Sequence, residues 1–349
     1  MKIAIHHSKI SYSERWISYC TEKQIPFKIV NCYESDIVRQ LDDCDALLWH
    51  HYHMSQRDTL FAKQLLYSLE MAGKIVYPDF RTGWHFDDKL GQKYLLEAIN
   101  APLVQSYAFY SKDEANRWAE NTHFPKVFKL RRGSSSGNVR LVRSTEAAHR
   151  LINKAFGKGF AQYDAWHGLR ERWRLFKTGK VTLQEVFEGF VRLIYPIPYA
   201  QILGKERGYA YFQDFIPNNT HDIRINIVAD KCFASRRGVR PGDFRASGSW
   251  IVDLDASQIP KQAIKIAFEV SSILKLQTAA FDFVLDNGKP LIVEVSYGFG
   301  FPGKQFEQGF WDSSLIYHAG EFNPFGWIVE NVITRIEENN YKAITSQKS

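Results

Sequence analysis

Two carboxylates late in the chain, Asp282 and Glu294, stand in a segment that alternates apolar and polar residues, AAFDFVLDNGKPLIVEVS. Two strands around Asp286-Asn287-Gly288 have the composition of a β-hairpin. The odd-numbered positions are apolar and are expected to form one buried face: Phe281, Phe283, Leu285, Leu291, Val293 and Val295. A three-residue loop with Gly288 in the left-handed conformation would align them. Asp282, Glu294 and Ser296 then share the opposite face.

This placement of acidic side chains predicts a site for a divalent cation. Opposed or diagonal positions on adjacent strands lie about 4.5–8 Å apart, so both carboxylates could reach one ion or a pair of ions. Without a cation, two carboxylates on an apolar sheet repel each other and lose hydration. A hard cation with oxygen ligands removes both penalties. The alternative is that both carboxylates lie on a solvated face and bind nothing.

The elements that would carry this hairpin begin with an α/β domain, which we expect at residues 1–85. Short apolar strands alternate there with helical segments, which is typical of a parallel, doubly wound sheet. The strands are expected at 2–6, 27–33, 45–52 and 74–79, and the helices at 13–23, 36–43 and 57–72.

A second domain is expected at 86–208 and a third at 209–340, followed by a polar tail at 341–349. The second contains the glycine-serine loop RRGSSSGNVRLV and then a helical stretch, about 156–208. Trp166, Leu169, Trp173 and Phe176 recur there at helical spacing. Thr182 and Glu185 have the spacing of a capping box before a helix at 183–194.

Composition narrows the class of protein. A hydrophobic share of 45% is that of a globular chain. The net charge of +7 favours an anionic ligand, but no dense Lys/Arg tail suggests nucleic-acid binding. The four cysteines form no CxxC pair, so we expect reduced thiols rather than a zinc site. The N-terminal segment turns polar after Ile5, and no run approaches the ~20 apolar residues of a membrane span, which predicts a cytoplasmic protein.

Four segments in order, over roughly residues 85–300, resemble the ATP-grasp superfamily and its carboxylate–amine ligases. They are DDKLGQKYLLEAINAPLV, FPKVFKLRRGSSSGNVRLV, YFQDFIPNNTHDIRINIV and FDFVLDNGKPLIVEVS. The resemblance implies an α/β (α+β) chain with the ATP-grasp fold. An N-terminal parallel α/β domain would precede it, and its lid domain would carry the helical insertion.

The resemblance also implies a site for ATP and Mg²⁺, with Mn²⁺ as an alternative metal. The nucleotide-binding residues would be Lys89, Lys129, Gly133, Ser134, Ser135, Ser136, Gly137, Gln213, Asp214, Phe215 and Ile216. The metal would be held by Asp282, Glu294 and Ser296, and the catalytic arginines would be Arg224 and Arg245. Small side chains suit the loop, since its backbone N–H groups can then close over phosphates. Lys89, Lys129 and Arg224 would neutralise the triphosphate.

Two features depart from the family pattern. Many members carry Asn where this chain has Ser296, and a hydroxyl is a shorter and poorer metal ligand. The stretch between Lys129 and Gln213 is longer than the compact lid domains of the family, so we interpret residues 156–208 as an insertion.

The leading functional interpretation is an amide-forming ligase that works through an acylphosphate. Its substrates would be a carboxylate and an amine, either small molecules or glycans. A homodimer is one possible oligomeric state. Two alternatives remain: an ATP-grasp kinase of a phosphorylated polyol, which the positive charge suits, and a degenerate nucleotide-binding protein without turnover.

Two groups of histidines, His6 with His7 and His50 with His51 and His53, are expected at the ends of the first and third strands. Ligands bind at the carboxyl ends of parallel strands, so these side chains could line a substrate crevice. The alternative is that they cap strands or contact water.

Overall fold

The computed structural model describes residues 1–9, 11–133, 138–163, 165–177, 179, 181–195, 198–240, 242–246, 248–249, 251–300 and 303–346. No helix in these ranges is long and apolar enough to cross a membrane. The chain divides into two compact units. The first unit comprises Met1–Phe86, Thr220–Val239 and Trp250–Ser349, and the second comprises Asp87–Asn219 and Arg240–Ser249. The three-part division expected from the sequence stays a prediction.

The described strands are, in chain order, β1 (Ile3–His6), β2 (Phe27–Val30), β3 (Ala46–Leu48), β4 (Ile75–Tyr77), β5 (Ser106–Phe109), β6 (Lys126–Lys129), β7 (Arg140–Val142), β8 (Phe160–Ala161), β9 (Lys205–Glu206), β10 (Ala210–Asp214), β11 (His221–Val228), β12 (Lys231–Gly238), β13 (Val252–Asp253), β14 (Thr278–Asp286), β15 (Lys289–Ser296), β16 (Gly309–Asp312) and β17 (Tyr317–Ala319).

The described helices are, in chain order, α1 (Ser13–Glu22), α2 (Ile37–Gln40), α3 (Gln56–Met71), α4 (Phe80–Gly83), α5 (Lys89–Ala98), α6 (Lys112–Asn121), α7 (Thr145–Phe156), α8 (Ala165–Lys177), α9 (Leu183–Ile194), α10 (Pro198–Leu203), α11 (Lys261–Leu274) and α12 (Pro324–Ser346). Short 3₁₀ turns at Ala256–Gln258 and Gly303–Glu307 complete the set.

The N-terminal part of the first unit is a parallel sheet of order β2-β1-β3-β4. Side chains of β1 alternate between two cores, because successive residues of a strand point to opposite faces. Ile3 and Ile5 join one cluster with Trp16 of α1, whereas Ala4 joins another with Leu66 of α3. Helices therefore cover both faces, and the expected doubly wound parallel sheet is confirmed.

The rest of the first unit is built on an antiparallel sheet of order β15-β14-β11-β12-β16-β17, with β13 beside β12. Helix α11 packs on β11 and β14. Its buried residues, which include Ile264, Ala267 and Val270, recur at helical spacing and form the stripe that faces the sheet. The two acidic residues of the hairpin are carried by the edge strand β15 and its neighbour β14.

The predicted three-residue hairpin loop is wrong. Asp286 pairs with Lys289, so the turn has two residues, Asn287 and Gly288, with φ of 49° and 84°. Asn-Gly is favoured there because both central residues of such a turn need positive φ. The extra residue that the loop was expected to contribute comes instead from a β-bulge within the strand pair, between Asp282 and Phe283.

The two-residue turn and the bulge together correct the predicted core face of β15. The register skips Val293, since Phe283 lies opposite Ile292 and Asp282 lies opposite Glu294. The turn places Ile292 opposite the buried Phe283, so Ile292 is fully buried, whereas Leu291 and Val293, which were expected in the core, are only half-buried.

The second unit is built on an antiparallel sheet of order β5-β10-β6-β7, with β8 and β9 forming a separate pair. Helices α6 and α7 pack on this sheet around Phe128 and Phe212. Helices α8, α9 and α10 lie in the stretch that was expected to be helical, about 156–208. The capping box is confirmed, because Thr182 and Glu185 each bond the other's backbone N–H at the start of α9.

Candidate functional site

The carboxylates of the hairpin lie directly opposite each other in the first unit. Asp282 of β14 pairs with Glu294 of β15, and Ala280 pairs with Ser296 two positions away on the same side of the bulge. The side chains of directly opposed residues leave the sheet on the same face. The sequence-based prediction that Asp282, Glu294 and Ser296 share a face is therefore met, although by a bulge rather than by the loop.

Asp282 accepts hydrogen bonds from two arginines. Arg224, its cross-strand neighbour on β11, donates from Nε to Oδ1 at 2.7 Å and from Nη2 to Oδ2 at 2.8 Å. Arg237 of β12 approaches Oδ2 at 2.9 Å and also binds both carboxylate oxygens of Asp222 on β11. Two guanidinium and two carboxylate groups thus balance in charge on one patch of the sheet.

Burial and neighbouring charge act in opposite directions in this cluster. Burial alone raises the pKa of Asp282, but the charges of Arg224 and Arg237 and their hydrogen bonds outweigh it and hold that pKa well below its usual range. For Asp222, burial and the charge of Asp282 together raise the pKa above the ordinary aspartate value, despite the contact with Arg237. Asp282 therefore stays an anion, which is the form that a cation needs.

The donors on this face suit Mg²⁺ by their chemistry. Mg²⁺ prefers oxygen ligands and is commonly held by one or two carboxylates, with water and substrate phosphates completing its shell. Asp282 and Glu294 form such a pair, with the Ser296 hydroxyl nearby in register. Within the described ranges no group of three or more His, Cys, Asp and Glu side chains could hold a metal by itself.

In the second unit, Lys129 ends β6 and is almost fully buried. Its Nζ donates to Oε1 of Gln213 on the adjacent strand β10 at 2.5 Å, and Nε2 of Gln213 donates to Oγ of Ser106 at 3.1 Å. Lys126, on the other face of the same strand, pairs with Asp214 at 2.5 Å. Two predicted nucleotide-binding residues, Lys129 and Gln213, therefore contact each other on one face of the sheet. Asp214 lies on the opposite face, because side chains alternate along a strand.

Lys89 is the first residue of α5 and is also buried. Its Nζ donates to the carbonyl of Gly133 at 2.8 Å, while the backbone N–H of Gly133 donates to Asp87 at 2.8 Å. The start of the glycine-serine loop is thereby tied to the start of α5. The predicted phosphate-binding residues Ser134, Ser135, Ser136 and Gly137 lie outside the described residues.

The remaining predicted residues follow β10 or lie in residues 240–249. Phe215 comes directly after β10, and its ring lies 6.1 Å from that of Phe244. Ile216 comes next, and its carbonyl accepts from Asn219 Nδ2 at 3.3 Å. Arg245 binds Asp243 through Nε and Nη2, each at 2.9 Å.

The histidine groups of the first unit have different roles. His6 is buried and accepts from the backbone N–H of Cys32 at 3.0 Å, so it caps the chain after β2. His50 stacks on Tyr12 with ring centroids 3.6 Å apart. Burial lowers the pKa of His50 to about 3, and its buried Nδ1 has no hydrogen-bond partner in the described structure. A Cβ on Gly298 would lie 3.1 Å from His50 Nε2, so the ring sits beside the chain that leaves β15.

The site residues predicted from the sequence include neither Asp222 nor Arg237. The sequence signal that could have identified Asp222 is the alternation of side chains between the two faces of a strand. Asp222 and Arg224 occupy alternate positions of β11 and so share a face with Asp282 of the next strand. The register that brings Arg237 opposite Asp222 depends on the β11–β12 turn and is not readable from either strand alone.

Comparison with known proteins extends these observations. A family model described as the RimK-like ATP-grasp domain matches residues 200–308. No curated protein sequence matches the chain significantly.

Several solved structures share the fold. A RimK domain protein ATP-grasp from Sphaerobacter thermophilus has a TM-score of 0.54 and 16% identity, covering 86% of this chain and 93% of that one. D-alanine–D-alanine ligase from Bacillus anthracis has a TM-score of 0.52 and 15% identity, covering 97% and 99%. The ATP-grasp ligase PsnB, solved with a minimal precursor, has a TM-score of 0.54 and 12% identity, covering 95% and 98%.

Because these identities are low, the solved structures establish the fold of the chain but not its reaction. The segment that matches the family model contains the acidic hairpin and the strands that carry Arg224 and Arg237. The chain therefore has the ATP-grasp fold, and residues 200–308 of it match the RimK-like ATP-grasp domain.

Proposed function

We propose that this protein is an ATP-dependent ligase that joins a carboxylate to an amine through an acylphosphate. The observation that carries the proposal is the opposed pair Asp282 and Glu294, flanked by Arg224, inside the segment that matches the RimK-like domain. Structural neighbours support it by their descriptions: one is D-alanine–D-alanine ligase complexed with ATP, and another is the ligase PsnB complexed with Mg and ADP.

The nucleotide-binding roles fall to the second unit. Lys89 and Lys129 are buried cations that would meet the phosphates, and each now binds a neutral oxygen, of Gly133 or of Gln213. The backbone of Gln213 to Ile216 would meet the adenine edge, and Ser134–Gly137 would cover the phosphates.

Asp282 and Glu294 would hold Mg²⁺, with the Ser296 hydroxyl reaching it directly or through water. When bound, the ion supplies positive charge to phosphate oxygens and so favours transfer of the terminal phosphoryl group. Asp282 would then exchange part of its contact with Arg224 and Arg237 for the cation.

The protein groups act by position and charge. A carboxylate oxygen of the substrate attacks the terminal phosphorus of ATP, the bond to the bridging oxygen breaks, and ADP leaves. The amine then attacks the acyl carbon, the C–O bond to phosphate breaks, and the nitrogen loses a proton as phosphate departs. Arg224 would neutralise the charge that develops in both steps, and Arg245 is assigned to the substrate carboxylate or acylphosphate.

The substrates belong to the small-molecule or glycan acids and amines, and the net charge of +7 suits an acidic one. A cytoplasmic location fits the chain, because its four cysteines are free and buried and ATP is the proposed co-substrate.

Hydroxylamine tests the reaction, since it replaces the amine and traps an acylphosphate as a hydroxamate. The protein is incubated with Mg-ATP, hydroxylamine and panels of amino, sugar and dicarboxylic acids. We expect acid-dependent hydroxamate and equimolar ADP, both lost in Glu294→Gln. ADP release driven by a phosphorylated polyol, without hydroxamate, would support a kinase instead. Nucleotide binding without turnover on any panel would support a degenerate binding protein.

A further inference from the structure

Helix α9 of the second unit has two apolar faces. Val186 and Gly189 are buried against α8, where a Cβ on Gly189 would lie 3.1 Å from Leu169 Cδ1. A polar strip carries Glu185, Glu188 and Arg192. A second apolar stripe of the same helix is exposed: Leu183, Phe187, Phe190, Val191 and Ile194.

This second stripe is exposed to an unusual degree. The exposed fractions are 63% for Leu183, 67% for Phe187, 51% for Phe190, 41% for Val191 and 76% for Ile194. At about 100° per residue the five side chains fall within an arc of about 100°, which is the width of a face that a helix normally buries. Isolated exposed apolar residues need no explanation, but a continuous patch of this kind marks an interaction surface.

Helix α8 extends the same patch. Helix α8 ends at Lys177 and α9 begins at Leu183, and the two helices pack on each other, so with so few residues between them they run antiparallel. Trp166 lies one turn before and Trp173 one turn after Leu169, the residue that faces α9. At about 100° per residue both are rotated by roughly 50° to the same side of Leu169, which is the side of the helix pair that carries the α9 stripe. Their exposed fractions are 61% and 47%. We call these two tryptophans and the five α9 residues the hairpin face.

The size of the hairpin face fits a protein partner. With large side chains of about 150–250 Å² each, the exposed parts of its seven residues amount to about 800 Å², which is the area per partner in a standard stable interface. A membrane surface is a poor match, because the polar strip beside the α9 stripe carries Glu185 and Glu188.

The charges at its two edges are opposite. Beyond the tryptophans, α8 presents the exposed side chains of Arg170, Arg174 and Lys177. Beyond the apolar stripe, α9 presents Glu188 and Glu185, and Glu188 lies 3.6 Å from Arg192 of its own helix. One edge of the hairpin face is thus basic and the other is acidic on balance.

We propose that the hairpin face binds the same face of a second copy of this chain, forming a four-helix bundle. A two-fold axis parallel to the helices places α8 of one protomer over α9 of its partner. Each basic edge then meets an acidic edge, twice by symmetry, and facing helices run antiparallel. The other face-to-face arrangement, with the axis across the helices, stacks α8 on α8 and opposes like charges, which is disfavoured.

Sedimentation velocity of the full chain over a concentration series tests the proposal. The wild type is expected to be a dimer at micromolar concentration. Ile194→Glu and Phe187→Glu should each raise the dimer dissociation constant by at least about 100-fold, since each places a charge in the interface twice. Ile273→Glu is the matched control, because Ile273 is also an exposed helical isoleucine, at 60%, but lies on α11.

The circular dichroism spectrum should stay unchanged in all three variants, because the replaced side chains are exposed. The melting temperature should fall only in the two α9 variants, since association stabilises the folded protein. A monomeric wild type, or equal dissociation by Ile194→Glu and Ile273→Glu, would overturn the proposal.

A charge exchange tests the arrangement. Arg170 and Glu188 lie near the middle of their helices, so antiparallel stacking of α8 on α9 brings them together. Arg170→Glu and Glu188→Lys should each weaken the dimer by several-fold, and the double variant should recover most of the loss. A double variant weaker than both single variants would contradict this packing.

Discussion

Arg224 donates two hydrogen bonds to Asp282 across the β11–β14 ladder, and Arg237 approaches the same carboxylate from β12. The metal-binding carboxylate proposed here is therefore held by two guanidinium groups before any cation arrives. Asp282 therefore contributes to the stability of the sheet as well as to the proposed metal site, whereas Glu294 is proposed only as a metal ligand.

Glu294→Gln and Asp282→Asn should both lower acid-dependent ADP formation by orders of magnitude, because each removes a proposed metal ligand. Only Asp282→Asn should also destabilise the fold, by about 3 kcal/mol, since it leaves two arginines without their shared anion. Urea unfolding together with the ADP assay separates the effects. Full turnover in Glu294→Gln would remove the metal site from the proposal.

Arg237→Met should cost about 3 kcal/mol of unfolding free energy, because Asp222 and Asp282 would then face each other with one arginine fewer. Asp222→Asn should cost less. Burial and Asp282 already raise the pKa of Asp222, so its charge is the least favourable in the cluster, and Arg237 keeps Asp282. Equilibrium urea unfolding measures both variants. A larger loss for Asp222→Asn than for Arg237→Met would contradict this account.

Mg-ADP at about 100 times its dissociation constant should stabilise the protein by about 2.7 kcal/mol. Lys129→Met should lose most of this stabilisation. Lys126→Met is the control: it alters the same strand and an equally buried lysine, but one on the opposite face that pairs with Asp214. Thermal melting with and without nucleotide gives the comparison, and equal responses of the two variants would refute the assignment of Lys129.

Gly288→Ala should destabilise the hairpin by about 1 kcal/mol through backbone strain alone. The φ of Gly288 is +84°, and nothing lies within 4 Å of a Cβ placed there, so no side-chain clash contributes. Gly300→Ala is the matched control, with the same open space and no positive φ, and should be neutral or slightly stabilising. Urea unfolding of the pair checks the two-residue turn, since a flexible loop would tolerate both changes equally.

His50→Gln should make stability less dependent on pH. Burial lowers the pKa of His50 to about 3, so the unfolded chain takes up this proton below about pH 6.5 while the folded chain does not. Between pH 7 and pH 5 the wild type should lose about 2 kcal/mol from this group. His50→Gln should lack that loss, and replacing the exposed His123 by glutamine should leave it intact. Identical slopes for wild type and His50→Gln in urea unfolding at the two pH values would show that His50 is not buried as a neutral ring.

Local patterns determined much of this protein from the sequence alone. The helix at 183–194 and its capping box were predicted at their observed bounds, because the cap and the 3.6-residue period lie within a few consecutive residues. The parallel N-terminal sheet and the strands of the acidic hairpin were likewise readable. The placement of Asp282 and Glu294 on one face was predicted from a loop that is not there, since alternation across the two-residue turn alone would put them on opposite faces.

Tertiary structure decided what depends on partners distant in the chain. The bulge at Val293, rather than the turn, sets the offset in the far half of the β14–β15 pair. A regular ladder from the Asn-Gly turn already places Ile292 opposite Phe283, but it would place Glu294 rather than the buried Val295 opposite Phe281. Asp282 was expected to crowd another carboxylate, whereas β11 and β12 bring it two arginines from sequence positions about 50 residues earlier. The second apolar stripe of α9 was visible as composition, but its exposure could be known only once α8 had covered the other face.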